Sequence, residues 1–438
     1  MSITTTSMVK AGAEAPADLL PGRLLRRTVN YEQAVGIYGR SKVERIAAHY
    51  NIGDELGFAA FRSLGAVDGP PGVGRQMFHQ ALSGGIDTIA DAPQALVDLF
   101  AQVDTVPAWV DWDQLRRGSV AYWRQGKFTV MSLAYAAIGA GFRTYGGSRP
   151  LVLSRRLIER DQVGRRLVET LRWAANASKP DGMRRDGDGF RLTMDVRFLH
   201  ASVRAHLSRS KHWDWNDWGL PVDNVDAIYT MGTLFTENVI DALAKVGVKL
   251  TALEIDDVVA LWRYIGHIMG IPEDINFVDW ADLREKSAIV CLLEHPADDG
   301  CRALMRSLID YMCEETIEGY EVLPPFVDKR LDAAQKKKLT YGLMRAWAGD
   351  EICDQLHIPD NRLRHLLPAA RPIVRAYDVV KRVLPHDDER DARRSLQAFG
   401  VALQRPAGAP ELADPLEVQH DFEQHSAQAH EILCPHAR

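Results

Sequence analysis

Apolar residues recur with a helical period along almost the whole chain. We find no run of alternating apolar and polar positions with hairpin turns between, so the pattern predicts an all-α protein. One large helical domain is expected at 31–400, between a flexible N-terminal segment, 1–30, and a peripheral C-terminal tail, 401–438. The predicted helices cover 41–64, 75–84, 92–103, 112–124, 127–143, 153–177, 191–209, 222–246, 254–269, 280–293, 297–318, 328–347, 350–355 and 360–382.

Two of these helices carry clear end signals. Asp223 precedes a long apolar-patterned segment and Gly247 follows it, which is typical of a helix N-cap and of a helix C-terminus. Thr251 and Glu254 have the spacing of a capping box before the next helix.

The predicted helix 191–209 has a histidine on its apolar face. At 100° per residue, His200 falls within the apolar stripe and Arg204 follows one turn later at the edge of the stripe. A buried imidazole without a partner costs roughly 1–3 kcal/mol, so it needs one. The helix alone leaves two partners open, a backbone carbonyl or a metal such as a haem iron. The stripe is formed by Val196, Leu199, Val203 and Leu207.

The predicted helix 153–177 repeats this feature. Thr170 lies inside an apolar stripe, Arg166 flanks it one turn earlier, and Glu169 lies further round. Residues three and four apart are neighbours on a helix. The three side chains therefore form either a polar group of a functional site or a local Arg166–Thr170 pair or Arg166–Glu169 salt bridge.

Composition narrows the classes of function. Hydrophobic residues make up 46% of the 438 residues and charged residues 26%, which is typical of a soluble globular protein. The net charge of −6 argues against nucleic-acid binding. No stretch reaches the roughly 18–20 apolar residues of a membrane span, and the N-terminus has no secretion-signal pattern, so we predict a cytoplasmic protein without a transmembrane segment.

Motifs for other chemistries are missing from the sequence. The five cysteines have no zinc-site spacing and there is no C-x-x-C-H for covalent haem attachment. There is no H-E-x-x-H, G-x-S-x-G or P-loop. The class of protein that remains is a helical protein with a large apolar cofactor between its helices. Haem fits this description, because one neutral histidine suffices as its axial ligand. His267 is a second, weaker metal candidate.

Four motifs, taken in order, resemble the rubber-oxygenase family, which includes bacterial latex-clearing proteins and a fungal oxygenase that cleaves a terpenoid side chain. Each motif alone is weak, but their order and spacing are more specific. The resemblance runs from about residue 35 to about residue 385. The motifs are R-x-x-x-T at Arg166–Thr170, L-H-x-x-V-R at Leu199–Arg204, "WNDWGLP" at Trp215–Pro221 (one residue shorter than in the family) and W-R-Y-x-G at Trp262–Gly266.

The resemblance implies an all-helical, globin-like core around a non-covalent haem b. It implies that His200 is the proximal iron ligand and that Arg166 and Thr170 are the arginine and threonine of the family. Arg204 or Arg166 would then pair with the haem propionates. Two departures stand out: Glu169 replaces a lysine of the rubber-cleaving members, and 144–156 has no acid where they have a catalytic glutamate.

These observations predict a haem b-dependent oxygenase that acts with dioxygen on an apolar alkene or isoprenoid-like small molecule. Glu169, Thr170 and Arg166 are the candidate catalytic residues, and His200, Arg204 and Arg166 are the candidate haem-binding residues. One alternative is a haem-binding or gas-sensing protein without turnover. Another is a cofactor-free helical scaffold in which His200 is a satisfied core residue. The sequence leaves the oligomeric state open.

Overall fold

The computed structural model describes residues 24–65, 72–154, 160–314, 330–402 and 422, and these residues confirm the all-α prediction. Within them no β-strand forms, apart from an isolated bridge between Thr28 and Glu294. The first half contains α1 (Tyr31–Tyr38), α2 (Arg40–Ala48), α3 (Glu55–Gly65), α4 (Val73–Gly84), α5 (Gln94–Asp104), α6 (Trp112–Trp123), α7 (Lys127–Ser132), the π-helical segment π1 (Leu133–Ala137), α8 (Ile138–Gly141), α9 (Arg149–Ser154), α10 (Arg160–Ser178) and α11 (Asp188–Leu207). The second half contains α12 (Trp215–Trp218), α13 (Asn224–Ile228), the π-helical segment π2 (Tyr229–Glu237), α14 (Asn238–Val246), α15 (Ala252–Met269), α16 (Trp280–Leu293), α17 (Asp299–Glu314), α18 (Ala333–Ala348), α19 (Asp350–Gln355), α20 (Leu366–Val383) and α21 (Asp388–Ala402).

The predicted helix ends are confirmed. The Asp223 carboxylate accepts a hydrogen bond from the Asp226 N–H at 2.8 Å, and Gly247 ends α14 with a φ of 111°. Thr251 and Glu254 form both hydrogen bonds of a capping box. Local hydrogen-bonding chemistry therefore fixes these ends as the sequence predicts.

Several predicted helices are divided in the structure. The segment 41–64 forms α2 and α3, separated by a 3₁₀ turn at His49–Asn51. The segments 127–143 and 222–246 each contain a π-helical stretch, π1 and π2. A test for the 3.6-residue period does not reveal such stretches, because it assumes that the period is constant along the helix. The sequence analysis also missed α1 and α21.

Helix α11 runs through the protein interior with buried residues on most of its faces. It packs against α10, α3 and α15, and α15 packs in turn against α6. An aromatic cluster joins α10, α15 and π2: the ring of Trp262 stacks on Phe235 at 5.0 Å, and Trp173 contacts Phe235 edge-on at 5.4 Å. The burial of most of α11 explains how one of its side chains can face an internal cavity.

No helix in the described ranges is long and apolar enough to cross a membrane.

Candidate functional site

A cavity of about 330 Å³ lies beside α11. Its walls come from residues 137–154, from α10, from α11 and from residues 222–235, and most of the lining side chains are apolar. Three single side chains from elsewhere complete the wall: Met269, Leu308 and Phe422. A largely apolar cavity of this size with a few polar groups is typical of a small-molecule or cofactor site.

Both π-helical segments border this cavity. Ala137 of π1 and Tyr229, Thr230 and Met231 of π2 line it. A π-turn inserts an extra residue into a helix and is found frequently at functional sites. Both π-helical segments of the described residues therefore contribute to the wall of the same cavity.

His200 extends from α11 into the cavity, between Leu199 and Val203. Neither of its ring nitrogens is hydrogen-bonded to a residue in the described ranges. Burial, together with the positive charges of Arg204 and Arg166, lowers the pKa of His200 to about 4. The imidazole is therefore neutral at pH 7, and a neutral imidazole carries a lone pair on one of its two nitrogens.

Arg166 and Thr170 of α10 line the same cavity. The Thr170 hydroxyl donates to the Arg166 carbonyl at 3.0 Å, which leaves the hydroxyl oxygen able to accept a hydrogen bond. The Arg166 Nη1 donates to Glu169 at 3.0 Å, whereas its Nε is buried without a partner. An orphaned buried donor is costly, so the Nε marks a place where an acceptor would be stabilising.

Glu169 is held between two arginines of its own helix. Its Oε1 accepts from Arg165 Nε at 3.1 Å and its Oε2 accepts from Arg166 Nη1 at 3.0 Å. The side chain is buried, and it is not among the residues that line the cavity. Of the two interpretations left open for this helix, these contacts are those of the salt bridge.

Arg204 is directed away from the cavity wall. Its guanidinium donates to three backbone carbonyls, those of Asp54 at 2.8 Å, Pro221 at 3.2 Å and Val222 at 2.6 Å. Burial lowers the pKa of Arg204, while Asp54 beside it raises the pKa. Among the described residues that line the cavity, Arg166 is the arginine, and the predicted haem-binding role of Arg204 stays a prediction.

A family described as "ER-bound oxygenase mpaB/B'/Rubber oxygenase, catalytic domain" matches residues 112–410. The chain belongs to this family. A search of curated protein sequences gives no match.

The fold of this chain is similar to that of a solved structure. The structure titled "Structure of Latex Clearing Protein LCP in the closed state" is similar to this chain with a TM-score of 0.58. It is 18% identical and covers 80% of this chain and 91% of the latex clearing protein chain. At this level of identity the similarity establishes a shared helical fold, and it confirms the predicted fold class.

Some side chains singled out in the sequence lie elsewhere in this rubber-oxygenase fold. His267 does not line the cavity, because its Nδ1 lies 3.2 Å from Glu273 Oε1 and its Nε2 lies 3.1 Å from Gln102 Nε2. The described residues contain no cluster of three or more metal-ligating side chains. Most of the predicted C-terminal tail, 401–438, lies outside the described residues.

Two cavity residues were missed by the sequence analysis. Asp226 of α13 lines the cavity, but the sequence shows it only as an acid in the first turn of a helix. Phe422 belongs to the predicted tail, yet it is buried, lines the cavity and stacks on His206 at 5.1 Å. Neither position has a local sequence signal, since each reaches the cavity through contacts distant in the chain.

Proposed function

We propose that this protein is a haem b-dependent oxygenase that acts with dioxygen on an apolar alkene or isoprenoid-like small molecule. The observation that carries the proposal is the neutral His200 imidazole, free of hydrogen bonds to the described residues, in an apolar cavity of an oxygenase-family catalytic domain. The names rubber oxygenase and latex clearing protein, which belong to the relatives, are consistent with an alkene substrate.

The residues at the cavity fit a haem by the chemistry of their donors. His200 offers a neutral nitrogen, which is the form of histidine that binds iron. Arg166 offers the unpaired Nε to a propionate, and Glu169 fixes the orientation of that guanidinium through its Nη1. When bound, haem b would supply the activation of dioxygen and the oxidation of the alkene.

The remaining cavity residues have binding and positioning roles in this proposal. The apolar wall selects an apolar substrate and excludes water. Thr170 presents a hydroxyl oxygen that accepts a hydrogen bond from a polar group in the cavity, because its own proton is directed to the Arg166 carbonyl. We assign Glu169 as a positioning residue for Arg166; its predicted role as an acid or base stays a prediction.

Haem binding is tested by reconstitution of purified wild-type, His200→Ala and His267→Ala proteins with hemin, followed by absorption spectra and quantification of haem after extraction. We expect a Soret band and near-stoichiometric haem for wild type and His267→Ala, and severe loss for His200→Ala. His267 is the matched control, because it is a half-buried histidine away from the cavity. Equal haem content in the two variants would refute the assignment of His200.

Oxygenase turnover is tested separately with an oxygen electrode and a panel of linear and isoprenoid alkenes. We expect dioxygen uptake that depends on both haem and alkene, with carbonyl products if the double bond is cleaved. A haem-loaded protein that consumes no dioxygen with any alkene would instead support the haem-binding or gas-sensing alternative.

A further inference from the structure

A cluster of buried charges lies next to the cavity, on the side formed by α13. Arg27 Nη1 lies 3.2 Å from Asp223 Oδ2, and Arg27 Nη2 lies 3.1 Å from Asp226 Oδ1 and 3.5 Å from Glu294 Oε2. Tyr50 donates its hydroxyl proton to Glu294 Oε2 at 3.2 Å, and the Arg27 guanidinium lies over the Tyr50 ring. One cation therefore faces three carboxyl groups.

Burial of three ionised carboxylates beside one cation would destabilise the folded protein. Unbalanced buried carboxylates are strongly disfavoured, and such groups take up protons instead. Burial and the neighbouring Asp226 raise the pKa of Asp223 well above its usual range. Asp223 Oδ2 is buried without a hydrogen bond, which leaves room for a proton there. The arrangement of the cluster therefore favours a bound proton on one of its carboxyl groups.

Asp226 is the member of the cluster that touches the cavity. Its side chain is 18% exposed, whereas that of Asp223 is fully buried and that of Glu294 is 2% exposed. Among the described residues that line the cavity, Asp226 is the single carboxylic acid. Burial, opposed by Arg27 and reinforced by Glu294, raises the pKa of Asp226 to about 6.

The position of the Asp226 carboxyl is fixed by close packing with the loop after α8. A Cβ atom added at Gly147 would lie 3.1 Å from Asp226 Oδ1 and 2.8 Å from Thr144 Oγ1. At Gly146, an added Cβ would lie 1.8 Å from an Arg27 nitrogen, and the Gly146 N–H donates to Glu294 at 2.8 Å. Two adjacent glycines thus let the cluster approach the loop and direct Asp226 to the cavity.

We propose that Asp226 exchanges protons with molecules bound in the cavity, and that Arg27, Asp223 and Glu294 form the charge network that supports this exchange. The partner is a cavity-bound molecule that carries a hydroxyl group, and the step is a proton transfer only: an O–H bond forms at the Asp226 carboxylate as the O–H bond of that hydroxyl group breaks, or the reverse. No electron moves and no co-reactant is needed. The role rests on the proposed function for its place in turnover, but the titration itself does not require haem.

The proposal is tested first on the haem-free protein by infrared difference spectroscopy across pH 4–8. We expect a protonated-carboxyl band that titrates with a midpoint near 6 in wild type and in the surface control Asp256→Asn, and that is lost in Asp226→Asn. A band that persists unchanged in Asp226→Asn, or a wild-type spectrum without such a band, overturns the proposal.

The second test uses the wild-type protein alone, so it does not depend on whether Asp226→Asn folds. Dicyclohexylcarbodiimide modifies protonated carboxyl groups in apolar surroundings, and the modified residue is located by peptide mass spectrometry. A group with a pKa of about 6 loses about tenfold of its protonated fraction between pH 5 and pH 7, so labelling of Asp226 should fall about tenfold. Absence of label on Asp226, or label that does not change with pH, contradicts the proposal.

These measurements distinguish the two proposals. If Asp226 titrates and is labelled but hemin does not bind, the proposed function fails and the proton-exchanging carboxyl stands. If hemin binds through His200 but Asp226 neither titrates nor reacts, the proton-exchange role fails alone.

Discussion

At the scale of the residue, what decides the chemistry of the cavity is which polar atoms are left without a partner. Arg204 and Arg166 have similar positions in the sequence: Arg204 lies one turn after His200, and Arg166 lies one turn before Thr170. In the structure Arg204 is satisfied by three carbonyls, whereas Arg166 keeps a buried unpaired Nε at the cavity wall. The same burial that makes an unpaired donor costly makes it a strong site for an anion.

Arg166→Ala should weaken hemin binding, and Arg165→Ala is its matched control. Both arginines pair with Glu169, but only Arg166 lines the cavity. Loss of a charge-assisted hydrogen bond of about 1.5–3 kcal/mol corresponds to a roughly 10- to 100-fold increase in Kd. Hemin titration of both variants measures this difference, and equal weakening in the two would show that the Glu169 salt bridge, not the cavity contact, is responsible.

The raised pKa of Asp226 also predicts a pH dependence of stability. Because the folded state binds the proton more tightly than the unfolded chain, this group stabilises the fold at pH values below about 4, and that stabilisation is lost as pH rises through about 6. The Asp226→Asn protein should lack this decline in stability with rising pH. Thermal midpoints of both proteins at pH 4.5, 5.5 and 7 measure this difference, and parallel profiles would contradict the shift.

At the scale of the element, periodicity predicted most of the helices, and it failed where the helix itself departs from a period of 3.6 residues. The π-helical segments π1 and π2 lie inside segments that were predicted as uninterrupted helices. The interior position of α11 was equally hidden, because Arg197 looks like an exposed edge residue in the sequence. Its guanidinium is buried in a two-pronged pair with Asp54, 143 positions away in the chain. Partners this distant leave no local pattern to detect.

The packing of α6 on α15 gives a prediction at this scale. A Cβ atom at Gly118 would lie 2.1 Å from the Asp257 carbonyl oxygen, which is backbone and cannot move alone. Gly118→Ala should therefore separate the two helices and cost about 1–3 kcal/mol. Gly36→Ala in α1 is the control, since no atom lies within 4 Å of its added Cβ. Calorimetry should show a lower thermal midpoint for Gly118→Ala and an unchanged or higher midpoint for Gly36→Ala.

At the scale of the whole molecule, the sequence predicted the fold class and the family, and it identified three residues of the cavity wall. His200, Arg166 and Thr170 could be found because each lies in or beside the apolar stripe of its own helix. Asp226 and Phe422 could not, because the first joins the cavity through a cluster with Arg27 and the second through a stack on His206. The cavity is thus assembled from residues between Ala137 and Phe422, and its occupant should be linked to the stability of the fold.

That linkage gives the last prediction. A ligand that binds only the folded state stabilises it by RT ln(1 + [L]/Kd), about 2.7 kcal/mol at 100 times Kd, so hemin should raise the thermal midpoint of the wild-type protein in a concentration-dependent manner. Iron-free protoporphyrin has the same apolar ring and the same propionates but offers no metal to His200. We expect a smaller shift with it, of equal size in wild type and His200→Ala, because only apolar burial and the Arg166 contact remain. Hemin should then shift His200→Ala no further than protoporphyrin does. If hemin stabilises His200→Ala as strongly as wild type, the iron is not bound by His200, and the cavity holds the porphyrin through its walls alone.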